Sequence, residues 1–250
     1  MNNSHGMHIE IIGPTSAGKT TLAKKMAYAG RENGVTIALS DDFMIEQFHL
    51  DWINHEFTRR RLVELIAYVK CLKYLAKYRE FIGFVIKEGI SSPGTWFYKI
   101  NRIRNVFRKI GIFEFISQRS NAREVVLADN EGLLQGVHNL FVHSNYQADM
   151  SKISRYIELI PLPDVVLYLH QDEDILVSRT LERGHARVSG HSPEEVAHFI
   201  SQAVSVFNQV INNPKIQDRL LIVDGGLDGN SEDEKSLIFN IYQVADLVHV

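Results

Sequence analysis

The sequence predicts an α/β protein: a parallel sheet of five strands with helices packed on both faces. Two observations carry that expectation. Short apolar runs at His8–Ile12, Val35–Leu39, Val125–Ala128, Val165–Leu169 and Leu220–Val223 alternate with segments of helical pattern, the order that gives parallel strands joined by crossover helices. The runs are continuously apolar, as in Val165-Val166-Leu167-Tyr168-Leu169, which suits strands covered on both faces. With 250 residues and 45% hydrophobic composition, the chain can bury the core of one such domain, residues 1–250.

The first strand feeds Gly13-Pro14-Thr15-Ser16-Ala17-Gly18-Lys19-Thr20, a full G-x-x-x-x-G-K-[ST] phosphate loop (Walker A), and Thr21–Ala29 follows as a helix. Glycines let successive N–H groups turn inward on a polyphosphate, and the helix N-terminus adds partial positive charge. Gly13, Thr15, Ser16, Ala17, Gly18, Lys19, Thr20 and Thr21 are therefore the expected nucleotide contacts. Lys19 reaches the terminal phosphates and the Thr20 hydroxyl ligates Mg²⁺.

The second strand ends in Ser40-Asp41-Asp42-Phe43. A carboxylate there can accept the proton of an acceptor hydroxyl or bind Mg²⁺ through water. Asp41 is the preferred base and Asp42 the alternative; one of the pair could instead cap the next helix, and with two aspartates both roles can hold. Residues 43–124 read as a helical insertion that binds the acceptor. Within it, Arg61–Tyr78 places Leu62, Leu65, Ile66, Val69 and Leu72 on one helical stripe. Ser91-Ser92-Pro93-Gly94 marks a loop. Lys99, Arg102, Arg104, Arg108 and Lys109 form an acid-free basic run, which is either a solvated helix face or, with Arg59-Arg60-Arg61, a site for an anionic acceptor.

The third strand delivers Asp129-Asn130-Glu131-Gly132, a Walker B-like placement that brings Asp129 to the metal beside the phosphate loop, with Glu131 a second acidic candidate as Mg²⁺ ligand or base. After the fourth strand, Asp172–Arg183 reads as a helix with acids first and bases last, stopping at Gly184. Arg179, Arg183 and Arg187 recur every four residues, and guanidinium groups near a triphosphate would neutralise a transferring phosphoryl group. Ser192-Pro193-Glu194-Glu195 opens a helix that runs to the Asn212-Asn213-Pro214 break.

Pro163-Asp164-Val165-Val166-Leu167-Tyr168-Leu169 followed by Asp172–Gly184 resembles the P-D-x-x-x-Y-L … R-x-x-x-R-G stretch of thymidylate kinases and deoxynucleoside kinases. The resemblance implies the P-loop kinase fold with strand order 2-3-1-4-5 and an arginine-bearing lid at 183–192. In it Arg183 and Arg187 reach phosphates and Arg179 does so or stays structural. It also places Gly225, in Leu221-Ile222-Val223-Asp224-Gly225-Gly226, like the adenine-contacting loop. Asp41-Asp42-Phe43 is similar to the turn of uridine kinase-like and nicotinamide riboside kinase-like enzymes. The family usually has D-R after the third strand; here Asn130 follows Asp129.

Net charge of −3 gives no polycationic signature of a nucleic-acid partner. The single cysteine, Cys71, excludes a disulfide framework and is expected to be buried. No signal region or long apolar run appears, so a cytoplasmic protein without a membrane partner is expected. The activity implied is transfer of the γ-phosphoryl group of ATP to a small-molecule acceptor, by default a nucleoside or nucleotide, with Mg²⁺ as cofactor and a homodimer as a possible assembly. Kinases of a sugar or other metabolite remain open, as does a P-loop NTPase switch, although the guanine-selecting N-K-x-D run is missing.

Overall fold

The structure, a computed structural model, describes residues 6–32, 36–120, 124–129, 132–144, 146–184, 188 and 192–225. Five strands, β1 (Met7–Ile12), β2 (Thr36–Leu39), β3 (Glu124–Ala128), β4 (Val165–His170) and β5 (Leu220–Asp224), form one parallel sheet in the order β2-β3-β1-β4-β5. This is the expected P-loop kinase order. The central strand pairs with β3 from Met7↔Val125 to Glu10↔Ala128 and with β4 from Ile9↔Val165 to Ile12↔Tyr168. Every residue of β1 is buried, as its continuous apolar pattern requires, yet two of its residues are polar: His8 and Glu10.

Helix α1 (Lys19–Glu32) leaves the phosphate loop and packs on β2. Between β2 and β3 lie α2 (Ser40–Gln47), α3 (Glu56–Lys73), α4 (Arg79–Ser91) and α5 (Trp96–Arg119), so the insertion is helical. After β3 come α6 (Gly136–Phe141) and α7 (Met150–Leu159); α8 (Glu173–Arg183), α9 (Pro193–Ile211) and α10 (Pro214–Gln217) join β4 to β5. The end signals act as read. Ser192 accepts a hydrogen bond from the Glu195 N–H at 3.2 Å with Pro193 next to it, and α9 stops at Ile211, before the Asn-Asn-Pro break. Gly184 ends α8 at φ 70°, a conformation glycine adopts without steric cost.

One helix is rotated from the sequence expectation. In α3 the buried residues are Val63, Ala67 and Cys71, whereas Leu65, Val69 and Leu72 of the apolar stripe are exposed. The cause is a close crossing with α5. A Cβ built on Gly111 would lie 1.8 Å from the Ala67 carbonyl oxygen, so backbone meets backbone there and only small side chains of α3 fit between the helices. Cys71 is buried as expected, and burial pushes its thiol up to about 11. Among the described residues no helix is long and apolar enough to cross a membrane.

Candidate active site

All five strands point their carboxyl ends to one edge of the sheet, where a parallel α/β fold collects its ligand-binding loops. The phosphate loop turns there on three residues of positive φ, Gly13 (150°), Ser16 (62°) and Gly18 (99°). At Gly13 a Cβ would come within 2.9 Å of the Leu169 carbonyl oxygen, so the loop start is pressed against β4 and tolerates no side chain.

Lys19 is buried, and its Nζ donates to the Gly13 and Pro14 carbonyl oxygens at 2.9 and 2.7 Å. Burial lowers its ammonium to about 8, against the raising influence of Asp129; Lys109 and Arg183 add to the lowering. The lysine is thus held by two carbonyls that an incoming phosphate can replace. Next to it the Thr20 hydroxyl donates to Asp129 Oδ2 at 2.9 Å, which joins the end of the loop to the end of β3. Thr20 is exposed and Asp129 half-buried, so this oxygen pair faces the space a ligand would enter.

A cavity of about 370 Å³ opens on the other side of the loop, lined by Ser16, Ala17, Gly18, Thr21, Arg179, Arg183 and Gly225 among others. It brings the loop, the last turns of α8 and the end of β5 together. The Gly225 N–H donates to the His170 carbonyl at 2.6 Å, and a Cβ there would meet Gln171 Oε1 at 2.6 Å. Arg179 and Arg183 are both exposed along this cavity. Thr15 lies half-buried on the loop. Arg187 and Glu131 lie outside the described residues.

Asp41 and Asp42 open α2 at the carboxyl end of β2. They differ in surroundings: Asp41 is held by Arg108 of α5 at 3.1 and 3.3 Å, while Asp42 is exposed. The basic run is accordingly not a uniform solvated face. Arg108 is turned onto Asp41, and Lys109 is buried with its Nζ on the Gly132 carbonyl at 2.8 Å.

The sequence reading passed over several buried polar groups at this edge. The Gln135 side chain grips Gly13, and the Gln135 N–H donates to Glu10 Oε1 at 2.7 Å. Burial raises the Glu10 carboxyl to about 7, against the lowering effect of the backbone N–H groups of residues 133–135 and of Lys109. The Thr180 hydroxyl donates to Ser16 Oγ at 2.9 Å and ties α8 to the loop. An acid inside the apolar run His8–Ile12 was the one signal available for this cluster.

The residues present fit a nucleoside triphosphate with its metal: a loop curled through positive φ at Gly13, Ser16 and Gly18, a lysine on replaceable carbonyls, and a hydroxyl–carboxylate pair. Mg²⁺ would be held by Thr20 and Asp129. Among the described residues no cluster of three or more His, Cys, Asp or Glu could enclose a metal, so phosphate and water would supply the rest of its shell.

No family model and no curated protein matches the sequence. Solved structures of similar layout include a deoxyadenosine kinase from M. mycoides with dCMP and dCDP, 17% identical, covering 96% of this chain and 100% of that one at a TM-score of 0.45. A shikimate kinase from Acinetobacter baumannii in complex with shikimate is 14% identical, covering 96% and 93% at 0.37. A thymidylate kinase from Ehrlichia chaffeensis is 12% identical, covering 96% and 98% at 0.39.

Proposed function

We propose that this protein is an ATP-dependent kinase that transfers the γ-phosphoryl group of ATP·Mg²⁺ to a small-molecule acceptor, by default a nucleoside or nucleotide. The observation that carries the reading is the Thr20–Asp129 hydrogen bond at 2.9 Å beside buried Lys19. A hydroxyl and a carboxylate side by side next to the phosphate loop support the reading, since phosphoryl transfer uses such a pair to hold Mg²⁺ against the β- and γ-phosphates.

In this reading the loop amides and Lys19 bind the β- and γ-phosphates. Arg183 and Arg187 neutralise charge on the phosphoryl group in flight, and Arg179 and Gly225 border the rest of the nucleotide. Asp41 takes the acceptor proton, with its orientation set by Arg108, and Asp42 is the alternative base. Mg²⁺, which Thr20 and Asp129 would hold, would supply neutralisation of phosphate charge. Catalysis of this kind is positioning and electrostatics rather than covalent chemistry.

The test is incubation with γ-labelled ATP and a fractionated metabolite extract. Label transferred to an organic acceptor, and lost in Lys19→Ala, is the expected result. Label recovered solely as inorganic phosphate with every fraction would overturn the kinase reading in favour of an NTPase switch.

A further inference from the structure

We infer that Gln135 is a positioning residue for nucleotide binding: a side-chain clamp that fixes the first peptide of the phosphate loop and keeps it fixed when Lys19 moves onto phosphate. The inference rests on the phosphate-site reading above. Gln135 is one residue ahead of α6 and 122 positions from Gly13 in sequence, yet its amide pairs with both the N–H and the carbonyl of Gly13. Gln135 Oε1 accepts from the Gly13 N–H at 3.1 Å, and Nε2 donates to the Gly13 carbonyl at 3.2 Å. The pairing of β1 with β4 ends at Ile12. A side-chain amide therefore continues the β1 ladder by one residue, at the point where the chain turns into the loop.

The clamp is itself held from three directions. Glu10 Oε1 of β1 accepts from the Gln135 N–H at 2.7 Å, Lys109 of α5 donates to the Gly132 carbonyl at 2.8 Å, and Tyr156 of α7 donates to the Leu133 carbonyl at 2.8 Å. All four side chains are buried. Gly132 and Gly136 leave the room this needs, since a Cβ on the first would lie 1.9 Å from Glu10 and on the second 2.4 Å from the Tyr156 hydroxyl. The turn 132–136 is thus fixed in a way that presents one side chain to one peptide.

The Gly13 carbonyl has two donors, Lys19 Nζ and Gln135 Nε2. When Lys19 leaves for a phosphate, Nε2 still satisfies that buried oxygen, so of the two carbonyls the lysine releases, Gly13 and Pro14, the Gly13 oxygen keeps a donor. Gln135 thereby lowers the cost of binding while touching no phosphate itself.

The test compares Gln135→Leu and Gln135→Glu with the wild-type protein. Two measurements are made: ATP·Mg²⁺ affinity by calorimetry, and hydrogen exchange of the peptide containing Gly13–Lys19. Leucine removes both bonds, so affinity should fall about tenfold or more at any pH and loop exchange should quicken. Protonated glutamic acid has a donor and an acceptor where glutamine has them, whereas the carboxylate only accepts. Gln135→Glu should therefore bind weakly at about pH 8 and recover towards wild-type affinity at about pH 5.5, a reversal that simple loss of packing cannot produce. Wild-type affinity and exchange in Gln135→Leu would overturn the inference, as would a Gln135→Glu variant whose affinity, relative to the wild type at the same pH, is no better in acid than in alkali. If wild-type protein binds no ATP yet loop exchange still depends on residue 135, the clamp stands and the nucleotide reading falls.

Discussion

Nucleotide binding should fail on the alkaline side because Lys19 loses its proton there. The ammonium of the free protein is lowered to about 8, chiefly by burial, while phosphate contacts favour its charged form. The sign follows: binding is strong below about 8, where the lysine is already charged, and weakens as pH rises through that value. From about pH 7 to about pH 9.5 the protonated fraction falls roughly thirtyfold, so the Kd of ATP·Mg²⁺ should rise by about the same factor, about 2 kcal/mol. Calorimetry in two buffers of different ionisation enthalpy measures the affinity together with the protons taken up on binding. Uptake should be about half a proton at about pH 8 and approach one at higher pH. Lys19→Met should bind weakly with no such dependence. A wild-type Kd that stays level across this range, with no proton uptake, would refute the assignment of Lys19 to phosphate.

Three further perturbations test other parts of the site. Asp129→Asn removes the charge paired with Thr20 and should lower kcat about a hundredfold, with a smaller effect on ATP affinity, in steady-state assays over a range of Mg²⁺; unchanged kcat removes Asp129 from the metal site. Gly13→Ala places a methyl 2.9 Å from the Leu169 carbonyl at φ 150° and should cost about 1–3 kcal/mol in urea unfolding, so a change within about 0.5 kcal/mol contradicts the close approach. His8 is buried in β1 and lowered by that burial to about 4, so it stays neutral in the folded protein where the unfolded chain takes up a proton. The His8 contribution should then be lost as pH falls from about 6.5 to about 4, by up to about 3 kcal/mol, while the raised Glu10 carboxyl acts in the opposite sense over that range. The stability difference between His8→Leu and the wild type should therefore shift in favour of the variant by that amount in acid, and a difference independent of pH would refute it.

The sheet was legible because each strand is short, apolar and bounded by turn residues, and parallel strands buried on both faces must look that way. The loop was legible because its glycines, lysine and threonine are adjacent in sequence. Gln135 and Thr180 were not, since each acts on the phosphate loop from more than a hundred positions away and nothing in its own neighbourhood marks it. Lys109 was hidden by its company: one buried lysine among five basic residues has no local sign separating it from the solvated ones. The rotation of α3 was hidden for another reason. An apolar stripe says that a helix has an oily side, but which side faces the protein is settled by how close the neighbouring helix comes.

That closeness has a consequence for the outer surface of the molecule. A single hydrogen atom at Gly111, in place of a methyl group, lets α5 touch the backbone of α3, and this contact sends Leu65, Val69 and Leu72 toward water. The greasiness of an 18-residue helix's exterior is thus decided at one position in the interior. Enlarging residue 111 would do more than strain the core. The two helices would have to part or roll, so the protein's solubility and its adhesion to other surfaces would change through a residue that solvent never reaches.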